Sequence, residues 1–483
     1  MPCDVNSKDL SADIKSISMD YRKIAPDSLF VALKGKKFDG HCFIQQAIEY
    51  GAKAVISEVH VDCSVPLIVV KNVREHLGPI SSAVYGHPSK SMTIIGVTGT
   101  NGKTTVAFLI DAILREAGLN SGYIGTVDYR WSGKTQKSER TTPEAPELQE
   151  LLSKMRSSEV SHVVIECSSH GIEFGRLNSI NFDVCVFTNL TQDHLDHHGT
   201  MTNYANIKKQ LFTQLLASSQ KQNKWAIFNH DDVFGKEWAK SNIAPSVSYS
   251  ISPKSKASVK PLMIDVGANG ISLELVVDGQ PIQLKSKLLG AYNASNLIAA
   301  TTVACKLGVH PKDIESALTK FSVVPGRLER IPSNADLNVF VDYAHTDDAM
   351  TNVLSTLKKI CEGRLIVVFG CGGDRDKSKR PKMMRAVENF AAVAIVTIDN
   401  PRSESPQSII EDTLEGLSKE SNLEVYTILD RREAIRKGIQ LADPMDMVII
   451  TGKGHEVYQE VGGQFLSFDD RLVAKEILEG IHV

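Results

Sequence analysis

No two of the eight cysteines, at positions 3, 42, 63, 167, 185, 305, 361 and 371, stand at CxxC spacing. Several lie inside apolar runs, as Cys185 does in FDVCVF. Buried free thiols in a reducing compartment are expected, rather than a disulfide framework. No stretch approaches ~18 consecutive apolar residues, and MPCDVNSKDL at the start has no apolar signal core. A cytoplasmic protein without membrane insertion is therefore the expectation. Neither sign of charge is in excess: 54 Lys and Arg face 57 Asp and Glu, a net charge of -3. That balance gives no electrostatic reason for nucleic acid or an anionic membrane as the main partner. Short-period repeats and low-complexity tracts are also missing.

What is present is a chain of 483 residues with 42% hydrophobic and 23% charged residues, too long for one ordinary core. At roughly 100–200 residues per domain, three domains are the natural division. Residues 1–88 read as a small α/β domain, with short strands in SLFVAL, AKAVISE and PLIVV, a helix over Phe43–Tyr50, and a Gly- and Pro-bearing linker at Tyr85–Lys90. Residues 89–330 open with a strand at Met92–Val97, a Gly-rich turn, and a helix. Val106, Leu109, Ile110, Ile113, Leu114 and Ala117 follow the helical period in that helix, and Gly118 ends it. Strands at His162–Ile165, Phe182–Phe187 and Trp225–Phe228, with helices between, predict a mostly parallel sheet covered on both faces. Residues 331–483 alternate NVFVDYAH, RLIVVFG, VAIVTIDN, LEVYTILD and DMVIITGKG with helical stretches, a doubly wound, Rossmann-like pattern. In such sheets ligands bind beyond the carboxyl ends of the strands. Asp342, Gly370–Asp374, Asp399–Arg402 and Gly452–Glu456 fall there.

The segment IIGVTGTNGKTT carries the most chemistry. A Gly-rich turn between strand and helix lets backbone N–H groups close round phosphate oxygens, and the helix N-terminus adds partial positive charge. Gly99, Thr100, Asn101, Gly102, Lys103, Thr104 and Thr105 form the loop. Lys103 can reach outer phosphates, and Thr104 is placed to ligate magnesium. The strict GxxxxGK[ST] pattern wants Gly where this chain has Val97, so the loop is a variant. A GTPase-type switch should also carry a base-reading NKxD-type segment, and none follows a strand.

TGTNGKTT after a strand resembles the Mur ligases, the amino-acid-adding enzymes of peptidoglycan synthesis. TTPEAPEL, ECSSHGI, FTNLTQDHLDHHG, LLGAYNASN, PGRLER, VDYAHT, FGCGGDRDKSKRP, DNPRSE and TGKGHE follow in that family's order over nearly the whole chain. The resemblance implies an ATP-dependent ligase that activates a carboxylate as an acyl phosphate for attack by an amine. Its cofactors would be ATP and magnesium. Glu166, ending the strand HVVIE, would be a magnesium ligand, and His194 in QDHLDHH would help hold a second magnesium. That cluster tempts a zinc reading, but its spacing does not fit HExxH. For His197 and His198 a solvated loop is expected. Composition makes Lys208 a surface helix lysine; the resemblance makes it a carbamate whose carboxylate serves the metal. Asn293 and Asn296 would meet adenine, Arg327 the triphosphate, and Asp342 a ribose hydroxyl.

By the same resemblance the carboxylate substrate is UDP-N-acetylmuramoyl-L-alanyl-D-glutamate. Ser28 would contact its uridine diphosphate, with His41–Ala47 as a second contact. Thr141, Thr142, Ser168 and Arg176 would hold the sugar-peptide part. Phe174 departs from the Gln of some relatives, Asp347 from Pro and Ser405 from an acid. DNPR, Asp399, Asn400, Pro401 and Arg402, is the signature of meso-2,6-diaminopimelate addition. Arg402 can bind the carboxylate that distinguishes this amine from lysine, and Arg375, Gly452 and Glu456 match further positions of that pocket. DNPR argues against the lysine-adding form, and the full-length first domain argues against folylpolyglutamate synthase. A monomer is the expectation.

Overall fold

The computed structural model describes residues 4–5, 13–35, 38–241, 244–333 and 336–480; Cys3 lies outside them. It is a mixed α/β structure built on three mainly parallel sheets. The first has five strands in the order Asp4–Val5, Leu67–Val69, Ala52–Ser57, Ser28–Val31 and Ser16–Ser18, antiparallel only at the Asp4–Val5 edge. The stretch read as a linker is packed instead. Pro88 and Ser89 are buried, and Arg156 donates to the carbonyls of Tyr85 and Gly86.

The central sheet has eight strands, ordered Ser246–Tyr249, Trp225–Asn229, Val184–Phe187, Thr93–Thr98, His162–Glu166, Ser121–Ile124, Asp128–Trp131 and Lys134–Lys137. The first six are parallel, and the last two return antiparallel. Thr93–Thr98 lies in the middle. Its apolar residues are covered on both faces, which is why it reads as an unbroken hydrophobic run. One face is covered by helices Lys103–Glu116 and Ala291–Lys306. A three-stranded antiparallel sheet, Pro261–Gly267, Gly270–Val277 and Gln280–Ser286, completes that layer. The other face is covered by Ala145–Ser157 and by Met201–Gln210, which runs into a π-helical turn at Leu211–Leu216.

The last sheet has the order Glu329–Arg330, Asn338–Asp342, Met447–Thr451, Leu365–Cys371, Val393–Ile398 and Glu424–Thr427. All strands are parallel except the first. Two cores, one on each face, give it the doubly wound form. A hairpin, Tyr458–Val461 with Gln464–Ser467, stands beyond its carboxyl edge. Cys42, Cys167, Cys185, Cys305, Cys361 and Cys371 carry free thiols, and Cys42 is exposed rather than buried. Among the described residues no helix is long and apolar enough to cross a membrane.

Candidate active site

The turn after Thr93–Thr98 is shaped by two glycines. Gly99 has φ +152° and Gly102 +83°, conformations that L side chains rarely adopt. A Cβ on Gly99 would strike the Thr188 hydroxyl, and one on Gly102 would stand 2.6 Å from Asn296 Oδ1. Gly102 then opens helix Lys103–Glu116 without a side-chain cap, leaving its first N–H groups free for a ligand;. Lys103 folds back on the loop and donates to the carbonyls of Gly99 at 2.9 Å and Thr100 at 2.8 Å. Burial lowers its pKa.

Glu166 is fully buried at the end of its strand. Its Oε2 accepts from the hydroxyls of Thr104 at 3.0 Å and Thr126 at 2.9 Å. Its Oε1 accepts from Tyr123 at 2.5 Å and the Thr126 N–H at 3.0 Å. An all-oxygen pair formed by a carboxylate and a hydroxyl is the donor set that magnesium favours. Lys208 is not on the surface, contrary to its composition-based reading. It is 1% exposed, donates to the Gly99 carbonyl at 2.8 Å and lies over the Tyr204 ring. Burial, reinforced by Lys103, holds its pKa well below the ordinary lysine value.

His194 has φ +53° and sits in the wall of the larger cavity. Enclosure lowers its pKa, against the opposing charge of Asp193. The solvated-loop reading of the next two histidines fails. Leu195–His198 is a helical turn that packs on helix Ser169–Glu173, and His198 is buried with Nε2 2.9 Å from Ser169 Oγ.

Two cavities flank this centre. One of 370 Å³ is lined by Gly102, Thr104 and Thr105 on one side and by Asn293, Asn296, Arg327 and Asp342 elsewhere. Arg327 donates to Thr104 Oγ1 at 3.3 Å and lies over Tyr343. Both Asp342 oxygens accept backbone N–H groups, from Leu328 at 2.6 Å and Ala344 at 2.7 Å. Asn296 donates to Asn293 Oδ1 at 3.0 Å, and Asn293 to the Leu289 carbonyl at 2.9 Å.

The second cavity, of 740 Å³, brings together Thr126, Thr141, Asp193, His194, Arg375, Asp399, Asn400, Arg402, Gly452 and Glu456. Its far wall is a polar net. Asn400 donates to Glu456 at 2.9 Å, and Lys453 donates to Asn400 at 3.1 Å and Glu456 at 3.0 Å. Pro401 turns the chain into Arg402, whose φ is +52°. Arg402 donates from Nε to Glu460 at 3.0 Å and from Nη1 to the Gly373 carbonyl at 2.7 Å. A Cβ on Gly452 would stand 2.8 Å from Asp399 Oδ2.

The remaining site candidates gather less tightly. Thr142 donates to the Glu166 carbonyl at 2.7 Å and lies 3.0 Å from Ser168 Oγ, and Arg176 donates to the Thr142 carbonyl at 3.1 Å. Phe174, the departure from Gln, has the guanidiniums of Arg74 and Arg176 over its ring, 5.3 and 5.6 Å from the centroid. Ser28 belongs to neither cavity; its hydroxyl is engaged with Ser16 and Ala25. Sequence reasoning missed Asp193, Lys379, Tyr343, His345 and Lys453. All five stood inside motifs already singled out, but only the fold shows that Lys453 is buried in the polar net and that Lys379 reaches Asp193 at 2.5 Å.

Comparison with known proteins adds independent findings. The model of the Mur ligase family catalytic domain matches residues 13–85, the Mur ligase middle domain 97–304, and the Mur ligase glutamate ligase domain 326–454. The chain is 43% identical to the UDP-N-acetylmuramoyl-L-alanyl-D-glutamate--2,6-diaminopimelate ligase of Syntrophomonas wolfei, over 98% of this chain and 96% of the relative. A solved structure of a ligase bearing the same name is 33% identical, with a TM-score of 0.68 over 97% of this chain and 96% of that one. The MurF ligase from Thermotoga maritima in complex with ADP is 17% identical and shares the fold, with a TM-score of 0.65 over 98% and 97% of the two chains.

Proposed function

The chain belongs to the Mur ligase family, and from that premise we propose that it is the ATP-dependent ligase that adds meso-2,6-diaminopimelate to UDP-N-acetylmuramoyl-L-alanyl-D-glutamate. A carboxylate does not react with an amine at neutral pH. Transfer of the terminal phosphoryl group of ATP to that carboxylate forms an acyl phosphate and ADP. The amine then attacks the acyl carbon, and phosphate leaves. The protein's task is to hold two anions together and position the amine.

The observation that carries this reading is the junction of the cavities. Thr104 lines the smaller one and Thr126 the larger, and both hydroxyls donate to Glu166 Oε2. A triphosphate on the Gly99–Thr105 loop would thus end where an acceptor carboxylate could lie. Lys103 would turn from its loop carbonyls to the outer phosphates. Thr104, Glu166, His194 and a carbamylated Lys208 would hold magnesium, which supplies neutralisation of the phosphate charge. Asn293 and Asn296 would face adenine, Asp342 the ribose, and Arg327 the phosphates.

Residues 1–88 would carry the uridine diphosphate contact at Ser28, and residues 89–330 the nucleotide loop. Thr141, Thr142, Ser168 and Arg176 would hold the sugar-peptide. Residues 331–483 would hold the amino acid, with Arg402 on its distal carboxylate, Glu456 on its ammonium, and Arg375, Asp399, Asn400, Pro401 and Gly452 shaping the pocket. The UDP-linked substrate and ATP are consistent with the cytoplasm. The test is ADP release with the UDP-linked dipeptide and a panel of diamino acids. Release should require both substrates and favour diaminopimelate. Release that ignores either substrate, or a preference for lysine, would overturn the reading.

A further inference from the structure

We propose that Glu173, His197 and His198 form a binding site for a divalent ion of the zinc class, separate from the phosphate-loop centre. Glu173 ends helix Ser169–Glu173, and the two histidines end the turn Leu195–His198. Glu173 Oε2 lies 2.6 Å from His197 Nε2 and 3.6 Å from His198 Nδ1, and all three donor atoms lie within 4.8 Å of one another. These separations bracket the roughly 3.3 Å edge of a tetrahedral site with bonds of ~2.0–2.1 Å.

The surroundings prepare the donors. His198 has its Nε2 against Ser169 Oγ at 2.9 Å. With the proton on Nε2, that hydrogen bond turns the Nδ1 lone pair toward Glu173, the outer support that metal-binding imidazoles use. The His170 ring packs 4.3 Å from that of His197 and 5.5 Å from that of His198. Two imidazoles and one carboxylate suit zinc and its first-row neighbours, whereas magnesium prefers oxygen alone. His194, three residues before His197, points to Asp193 instead. Ser168 immediately precedes one ligand-bearing helix and His194 the other. An ion here would fasten together the two segments that lead into the reaction centre.

The test adds zinc or cobalt(II) alone to the full chain, without nucleotide or magnesium. One equivalent of zinc should raise Tm, and cobalt(II) should give visible bands of a four-coordinate site. His197→Phe and Glu173→Gln should weaken zinc binding by at least ~10-fold. Ser169→Ala, which removes only the outer support, should weaken it by ~10–100-fold. His194→Ala should leave it unchanged. His197→Phe, at a partly exposed ring, and Ser169→Ala keep the test readable if Glu173→Gln does not fold. Equal affinity in wild type and His197→Phe would overturn the proposal, as would loss confined to His194→Ala. Absence of both the cobalt bands and the zinc stabilisation would leave only a hydrogen-bonded histidine–glutamate pair and would also overturn it.

Discussion

Lys103 and Lys208 donate to the same acceptor, the carbonyl oxygen of Gly99, at 2.9 and 2.8 Å. Two ammonium groups on one buried carbonyl repel each other, and burial penalises both charges. Lys208 is the more strongly lowered. A neutral amine is the form that adds carbon dioxide, as the carbamate proposed above for Lys208 requires.

Lys208→Ala should therefore lose activity and recover part of it when short carboxylic acids are added, since these restore a carboxylate at the vacated place. Turnover assays with and without added acetate or formate decide this. A folded Lys208→Ala enzyme with near-normal turnover would remove Lys208 from the chemistry.

Arg402 lines the larger cavity and is anchored through Nε by Glu460 and through Nη1 by the Gly373 carbonyl. Arg402→Ala should reduce kcat/KM for diaminopimelate by the equivalent of roughly 2–5 kcal/mol, the cost of leaving a desolvated carboxylate unpaired. Lysine, lacking that carboxylate, should be affected much less. Arg402→Lys should also fail, because a point charge cannot reproduce the fork. Equal proportional losses for the two amines would show that Arg402 serves the fold instead.

Lys379 crosses from the last unit to Asp193 of the central one, at 2.5 Å and with both side chains largely buried. Burial raises the pKa of Asp193, but His194, His345 and Lys379 outweigh it and hold the carboxyl below its ordinary range. Lys379→Ala leaves that carboxylate without its ammonium partner. Its kcat/KM for both substrates should fall at least ~10-fold, and its solution scattering should report a larger radius of gyration. An unchanged radius with unchanged kinetics would mean that the contact does not govern closure.

Arg431 and Asp470 form a fully buried bidentate pair at 2.8 and 2.7 Å, and Arg431 also donates to the carbonyls of Ile398 and Thr451. Those carbonyls end the strands that lead into DNPR and TGKGHE. Removing one member leaves a buried charge unpaired, so Asp470→Ala should lower unfolding free energy by about 3–5 kcal/mol. Urea unfolding measures this. A loss under ~1 kcal/mol would place the pair among ordinary surface contacts.

The strands nearest the site were legible because buried parallel strands are continuous apolar runs, and their polar carboxyl ends interrupt those runs abruptly. The phosphate loop was legible for the same reason, with glycines at a strand–helix junction. The sheet Pro261–Ser286 went unread: its strands show only the weaker alternation of a one-sided surface. Lys208 has the local sequence of a surface lysine, and only packing against Gly99 and Tyr204 reveals its burial. Contacts such as Lys379 with Asp193, or Glu173 with His197, join distant segments, and no local spacing encodes them.

Tyr343 and His345 stand in the walls of both cavities. A swing of the last sheet would vent the nucleotide and amino-acid compartments together, so ADP and the lengthened peptide would leave on one clock. A small molecule wedged between Tyr343 and the phosphate loop would stall both exits from a single foothold. Such a compound should slow product escape without resembling either substrate.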